Sequence, residues 1–385
     1  MDRIRLFRTT PRIVMGPGAI GQIGDEIRKM KAKKVLLVTD KGIVEAGLIK
    51  PALESLEKSE INHAAFDGVE PDPRYEIAAD CVSMIRREKA DLVIGFGGGS
   101  AIDIAKSAAI MATNEAPIAE YFGIDLIPQP GLPTVMVPTT AGTGSEVTPI
   151  AILSDEGEKL KKGIVSPYLF PSIAILDPEL TLGLPPNITA STGMDALIHA
   201  IEAYTSVNAT DMTDILAFRA MELVYHNIRT AYANGNNLPA RSSMMEGSLL
   251  AGMAFANAGV TAVHAFAYPI GAEFHIPHGV ANTLMLPHVM RFNLLGNLSK
   301  FADISEAFDL SIEGMDELQT AEMFVEAIER LAKDLRVPKN LSEFGISQKD
   351  VPALAEGVMK VTRLLANNPR VINLEDAVEI YKAAL

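Results

Sequence analysis

Residues 263–279, VHAFAYPIGAEFHIPHG, hold three of the chain's seven histidines, His264, His275 and His278. The stretch has no lysine or arginine and a single acid, Glu273. Imidazoles in so apolar a run are either satisfied core residues or are gathered around a cation, because buried polar groups need partners. A second stretch, NITASTGMDALIHAIEAY (187–204), places Asp195 and His199 four residues apart, on one face of an expected helix that Ser191 or Thr192 would cap. His264 is expected on a helix closed by Tyr268-Pro269 and Gly271. His278 opens the next segment after Pro277, so a bend lets both histidines face one point. Asp195, His199, His264 and His278 then supply one carboxylate and three imidazoles, a set suited to Fe²⁺ or Zn²⁺. Spacing alone leaves the blander reading open: an acid–histidine surface pair plus packed core histidines.

The other chemistry-bearing stretch is GFGGGSAIDIAK (95–106), a buried strand running into a helix. Gly97, Gly98 and Gly99 let backbone amides approach a phosphate, the helix N-terminus adds partial positive charge, and Ser100 can cap the helix or donate to phosphate. A tight strand-to-helix turn needs the same glycines. Gly95 and Gly97 fit G-x-G-x-x-G, but Ser100 takes the third place, and the loop follows the third expected strand, not the first. Asp40 ends the strand VLLVTD. There it can accept from ribose hydroxyls and repel a 2′-phosphate, favouring NAD over NADP, or simply cap the next helix. VPTTAGTGSE (137–146) ends another strand with Thr139, Thr140, Thr143 and Ser145, small hydroxyl residues able to line a ribose and amide. Lys161 and Lys162, past a turn at SDEG, either meet phosphate or ribose or are solvated.

The elements that must position these residues fall into two kinds. Apolar β-branched runs alternate with helical patterns up to about residue 182: strands at 34–40, around INHAAFDG, at 91–99, 134–140 and 172–178, with a hairpin at SDEG completing the sheet. That alternation predicts a mostly parallel, helix-covered sheet. After LGLPPNITA only helical periodicity remains, at 189–206, 210–233, 239–258 and onward. The expected domains are therefore 1–182, α/β and nucleotide-binding, and 183–385, all-helical and metal-binding, with a ligand cleft at their junction.

Bulk properties narrow the function. Two domains suit 385 residues, and 48% hydrophobic residues are enough for sizeable cores. A net charge of −14 provides no basic footprint for nucleic acid or an anionic membrane. Cys81 is the only cysteine, so no intrachain disulfide forms. This fits a reducing cytoplasm, and Cys81 reads as a packed residue. MDRIRLFRTTPRIVMG shows no signal-peptide core. The charge-free run between Glu246 and Glu273 is long enough for a bilayer, but Asn257, His264 and Pro269 favour two core helices and no membrane span.

GGGSAIDIAK, PTTAGTGSE, the run from AILDPELTLGLP through TGMDALIHAIE, and HAFAYPIGAEFHIPHGVAN together resemble the motifs of the iron-containing (group III) alcohol dehydrogenases. The resemblance spans about 12–290. It implies a Rossmann-like α/β domain and an all-α metal domain, an architecture shared with dehydroquinate synthase. It places metal ligands at Asp195, His199, His264 and His278. It places NAD contacts at Asp40, Gly97, Gly98, Gly99, Ser100, Asp103, Thr139 and Thr140, with Lys161 preferred over Lys162. Several members carry another histidine four residues after the ligand at His264; Tyr268 stands there instead, so Tyr268 or His275 is the expected proton relay. The implied activity is NAD- and metal-dependent interconversion of small alcohols or diols and aldehydes, by a homodimer or larger homo-oligomer. The alternatives are a dehydroquinate synthase-like lyase or a glycerol dehydrogenase-like enzyme. From Thr181 to Met290 there is no lysine, and only Arg219, Arg229 and Arg241 are basic, which argues against a phosphorylated or acidic substrate and for a neutral one.

Overall fold

The computed structural model describes residues 4–155, 157, 160–310 and 314–385. They form two compact units: Arg8–Leu182, and Gly183–Leu385 together with the N-terminal residues up to Phe7.

The first unit opens with β1 (Ile13–Met15), α1 (Ile23–Lys29), β2 (Lys34–Val38), α2 (Lys41–Glu45), α3 (Lys50–Lys58) and β3 (Asn62–Phe66). It continues with α4 (Glu76–Glu88), β4 (Leu92–Gly97), α5 (Gly99–Met111), β5 (Gly123–Ile124) and β6 (Thr134–Pro138). The hairpin β7 (Ile150–Asp155) and β8 (Leu160–Val165) and then β9 (Ile173–Leu176) complete it. Six strands make one parallel sheet in the order β1-β9-β6-β4-β2-β3. From β2 the chain steps outward to β3, then returns to lay β4 on the other side of β2. The carboxyl ends of β2 and β4 therefore flank the switch point, where doubly wound sheets bind ligands.

The period-two pattern of the strands builds a core on each face. Val35 and Leu37 pack with Ile23, Ile27 and Leu56 on one side. Leu36 and Val38 pack with Ile77, Cys81, Ile85 and Ile102 on the other. Cys81 is fully buried, and burial pushes its thiol up to about 12, as befits a packed residue.

One expectation for this unit is corrected. The β7–β8 hairpin does not join the main sheet; it forms a three-stranded sheet with β5, in the order β5-β8-β7. The hairpin tip at SDEG includes Glu156, which lies outside the described residues. The main sheet instead gains β1, which pairs with β9 and is too short, at three residues, to show an alternating pattern.

Among its described residues the second unit is helical, with short 3₁₀ turns and no strand. Its helices are α6 (Pro186–Thr205), α7 (Asp211–Ala233), α8 (Leu238–Ala258), α9 (Ala262–Phe274) and α10 (His278–Asn293). α11 (Leu298–Ala307), α12 (Glu317–Asp334), α13 (Val351–Met359), α14 (Thr362–Leu365) and α15 (Leu374–Ala383) follow. The charge-free run folds as α8 and α9, bent by 102°. Among the described residues no single helix is long and apolar enough to cross a membrane; only this bent pair passes, by length and composition alone.

Two further corrections concern these helices. α6 starts at Pro186, ahead of Ser191 and Thr192, and the Thr192 hydroxyl donates to the Ile188 carbonyl within the helix. α9 does not end at Tyr268-Pro269 but runs through to Phe274. Proline in a helix interior forfeits one hydrogen bond and crowds its neighbours. Here Gly357 of α13 makes room: a Cβ at that glycine would lie 3.0 Å from the Pro269 ring.

Candidate active site

In the helical unit, α6 and α9 bring three polar side chains into the core. Asp195 is 3% exposed, His199 5% and His264 2%. One ligand atom from each lies within 4.8 Å of the others. His264 Nε2 sits 3.1 Å from His199 Nε2 and 3.8 Å from Asp195 Oδ1. The His199 ring stacks on Phe255 with centroids 4.3 Å apart, which fixes its plane.

α9 closes with His275 in a left-handed conformation (φ 54°), and Pro277 starts α10 so that His278 is its first residue. His278 Nε2 reaches within 3.8 Å of Asp195 Oδ1 and keeps 31% of its side chain exposed, at the edge of the buried trio. Gly279 permits this approach, since a Cβ there would overlap the Ser191 carbonyl of α6. Tyr268 lies beside His278, with ring centroids 6.1 Å apart. His275 is exposed and makes no hydrogen bond, ion pair or ring contact among the described residues.

Two polar residues at this site were not expected from the sequence. Asn282, one turn after His278, donates from Nδ2 to Asp195 Oδ1 at 2.8 Å, and Nδ2 lies 3.2 Å from Nε2 of both His264 and His278. Its Oδ1 is buried without a partner. Glu202 is fully buried and meets His264 Nδ1. The sequence did carry a signal for each: Glu202 continues the Asp195/His199 face, and Asn282 continues that of His278.

Burial resists the charge on Asp195, but the three imidazoles and the Asn282 amide outweigh it and hold the carboxyl below its ordinary range. Burial likewise resists protonation of His264, and the Glu202 carboxylate, aided by Asp195, raises it nonetheless. A carboxylate and imidazole nitrogens facing one point, with an orphaned buried amide oxygen beside them, fit a divalent transition metal.

In the α/β unit, Gly97 closes β4 at φ +150°, a conformation few side chains tolerate. A Cβ there would meet Ala101 at 2.9 Å and point at Asp40 Oδ2, 3.7 Å away. Gly98 is the N-cap of α5 and has no side-chain cap; Ser100 lies inside the first turn, which corrects its expected capping role. Thr140 lies 3.7 Å from where a Gly98 Cβ would stand, and the Thr139 N–H donates to the Gly97 carbonyl at 3.0 Å. Asp40 caps α2 by accepting from the Ile43 N–H at 3.0 Å, with Oδ2 on the glycine side.

Asp103 is engaged within the protein: it accepts from the Ser145 hydroxyl at 2.5 Å and the Ile152 N–H at 2.9 Å. Lys161 Nζ lies 2.5 Å from Asp72 Oδ1, and Lys162 Nζ lies 2.8 Å from Asp155 Oδ2. Lys106, at the end of the glycine motif, is a further unexpected residue. It is 1% exposed and donates to Ser145 Oγ and to the Thr148 and Ile150 carbonyls, tying α5 to the loop after β6. Burial lowers it to about 8, against the pull of Asp103 and Glu146.

Burial also pushes Glu146 up to about 7, although its own N–H and Lys106 favour the anion. Its folded value exceeds the ordinary 4.5, so its contribution is fully favourable below pH 4.5 and is lost as pH rises to about 7. Glu146→Gln should therefore gain stability relative to the native chain across that window, by up to about 3 kcal/mol. Urea titrations at several pH values check this; a stability gap independent of pH would refute it.

A strand-end carboxylate beside a glycine-lined switch point, and a buried carboxylate–imidazole cluster in an all-helical unit, define a metal-dependent dehydrogenase class. Residues 10–178 match the family described as iron-containing alcohol dehydrogenase, and residues 189–385 match the Fe-containing alcohol dehydrogenase family, C-terminal. The chain belongs to the iron-containing alcohol dehydrogenase family. It is 40% identical to a sulfoacetaldehyde reductase of Bilophila wadsworthia over 97% of both chains. Its fold superposes on the crystal structure of a 1,3-propanediol oxidoreductase with a TM-score of 0.97, 42% identity and full coverage of both chains. It is also similar to a sulfoacetaldehyde reductase from Bifidobacterium kashiwanohense solved with NAD⁺: TM-score 0.88, 30% identity, 100% of this chain and 99% of the other.

Proposed function

We propose that the chain is an NAD-dependent, metal-dependent alcohol dehydrogenase that interconverts small primary alcohols or diols and aldehydes. Residues 1–182 would bind the dinucleotide, and 183–385 would hold Fe²⁺, or alternatively Zn²⁺, through Asp195, His199, His264 and His278. The observation that carries this reading is the convergence of three buried ligand atoms within 4.8 Å. When bound, the ion supplies Lewis acidity toward an alcohol or carbonyl oxygen, and the nicotinamide supplies the hydride acceptor or donor. The chain's own residues do the positioning. Gly97, Gly98, Gly99 and Ser100 offer amides to the pyrophosphate, Thr139 and Thr140 flank it, and Asp40 Oδ2 accepts from the ribose. Asp103 supports this cradle from behind through Ser145 and Ile152. Tyr268, beside His278, is better placed than His275 to pass the alcohol proton outward through its hydroxyl. Lys161 is assigned to the cofactor on family resemblance, and it would have to leave Asp72 to make that contact. A cytoplasmic homodimer or larger homo-oligomer completes the proposal.

The test is anaerobic purification, elemental analysis and an NADH assay over short alcohols and aldehydes. Turnover lost on chelation and restored by Fe²⁺ or Zn²⁺ is expected; full turnover in verified metal-free enzyme would sink the reading. Asp40→Gly is expected to raise NADP use relative to NAD by about tenfold or more, roughly the 1.4 kcal/mol of one hydrogen bond to a charged group. An unaltered preference would remove Asp40 from the cofactor site.

A neutral substrate is favoured because each arginine of the 181–290 window is engaged elsewhere. Arg219 lies 3.0 Å from Glu222, Arg229 lies 2.8 Å from Asp334, and buried Arg241 donates to Thr189 and the Gly235 and Leu184 carbonyls. The same fact counts against a phosphorylated lyase substrate. One observation favours a second reading, an aldehyde carrying an anionic group. Exposed Arg363 on α14, which packs on α9, makes no hydrogen bond or ion pair among the described residues, and its charge is felt at His264. The relatives acting on sulfoacetaldehyde point the same way. Comparing kcat/KM for sulfonated and neutral short aldehydes decides between them. A sulfonate preference that disappears in Arg363→Gln selects the anionic substrate; a neutral preference in the native chain rejects it.

A further inference from the structure

Glu202 sits on α6 one turn beyond His199 and has no exposed surface. An isolated buried carboxylate is costly, yet this one is surrounded by donors. Its Oε1 accepts from the Val263 N–H at 2.7 Å, the Thr261 N–H at 3.1 Å and the Thr261 hydroxyl at 2.7 Å. Its Oε2 meets His264 Nδ1. Thr261 is the N-cap of α9 and does not cap it with its own side chain. One carboxylate from α6 thus satisfies two of the open N–H groups at the start of α9, those of Thr261 and Val263, and faces the positive end of that helix. The other oxygen grips the imidazole in the first turn of the same helix.

We propose that Glu202 is the positioning residue of the metal centre: it locks the proton of His264 on Nδ1 and aims the Nε2 lone pair at the ion. This rests on the metal reading given above. The geometry divides the labour between the two oxygens. Oε1 fixes where the helix starts, and Oε2 fixes the tautomer and ring plane of the ligand on it, so His264 Nε2 lands 3.1 Å from His199 Nε2. Neutral imidazole ligates through one nitrogen only if the other carries the proton, and an outer carboxylate on that N–H increases ligand basicity. Charge supports the assignment. A dication beside Asp195 alone leaves one positive charge in a buried site, and Glu202 cancels it.

The test uses the full-length chain loaded with zinc. Glu202→Gln is expected to weaken zinc binding by about 10- to 100-fold in a chelator competition, the usual cost of losing an outer-sphere partner. In the cobalt-substituted protein the same change is expected to shift the ligand-field absorption, which loss of bulk stability alone would not do. Because Glu202→Gln could fail to fold, the native zinc protein labelled with ¹⁵N-histidine provides a second measurement. His264 is expected to show an exchange-protected Nδ1–H proton. Native zinc affinity and an unchanged cobalt spectrum in Glu202→Gln, or a His264 proton on Nε2, would overturn the proposal while leaving the metal reading intact. Failure of the native chain to bind zinc, cobalt or iron would overturn both.

Discussion

His199→Ala is expected to lose its bound metal and to turn over at least about 10³-fold more slowly, a loss of roughly 4 kcal/mol of transition-state stabilisation, while still binding NADH. His199 shares the same face of α6 as Asp195, its Nε2 is 3.1 Å from His264 Nε2, and its ring is held against Phe255. Glu202 has both oxygens engaged and is not free to replace it, and the unpartnered Asn282 Oδ1 offers only a neutral amide oxygen in place of an imidazole nitrogen. Elemental analysis, NADH titration and kcat measured on one preparation check the three parts together. Retained metal with unchanged turnover would remove His199 from the ligand set.

Gly97→Val is expected to do the reverse, weakening NADH binding by about 10²-fold or more, roughly 2.7 kcal/mol, with metal content unchanged. A β-branched residue at φ +150° is strained by about 1–3 kcal/mol. Its Cβ would also press on Ala101, in the first turn of α5, and point at Asp40. In the proposed cofactor site the strain would displace the helix N-terminus whose amides face the phosphate, and the added atoms would occupy the space beside Asp40. NADH fluorescence titration reads the affinity. A Gly97→Val protein with native NADH affinity would show that the glycines serve only the strand-to-helix turn, the simpler role open to them in the sequence.

The sequence alone determined the grammar of the fold and the identity of the chemistry. Strand–helix alternation up to about residue 182 and helical periodicity beyond it are local patterns, each set by which side chains must face a core. Asp195 and His199 follow from helical spacing, and the glycines after β4 follow from what a strand-to-helix turn and a phosphate both require. Tertiary structure decided which distant faces meet. The pairing of Glu202 with His264 spans 62 residues, and the approach of Asn282 to Asp195 spans 87. Helical period places Glu202 and Asn282 on the right faces, but nothing local says which distant residue each face meets. Arg363 lies well beyond Met290 in the chain, and only the packing of α14 on α9 brings its charge to His264. The same limit explains the sheet. Local sequence shows that β7 and β8 form a hairpin, but long-range packing and backbone pairing choose which sheet it joins and let three-residue β1 become an edge strand. Intrinsic preference fixes elements and faces over short separations, whereas the meeting of faces depends on burial energy summed over the whole core.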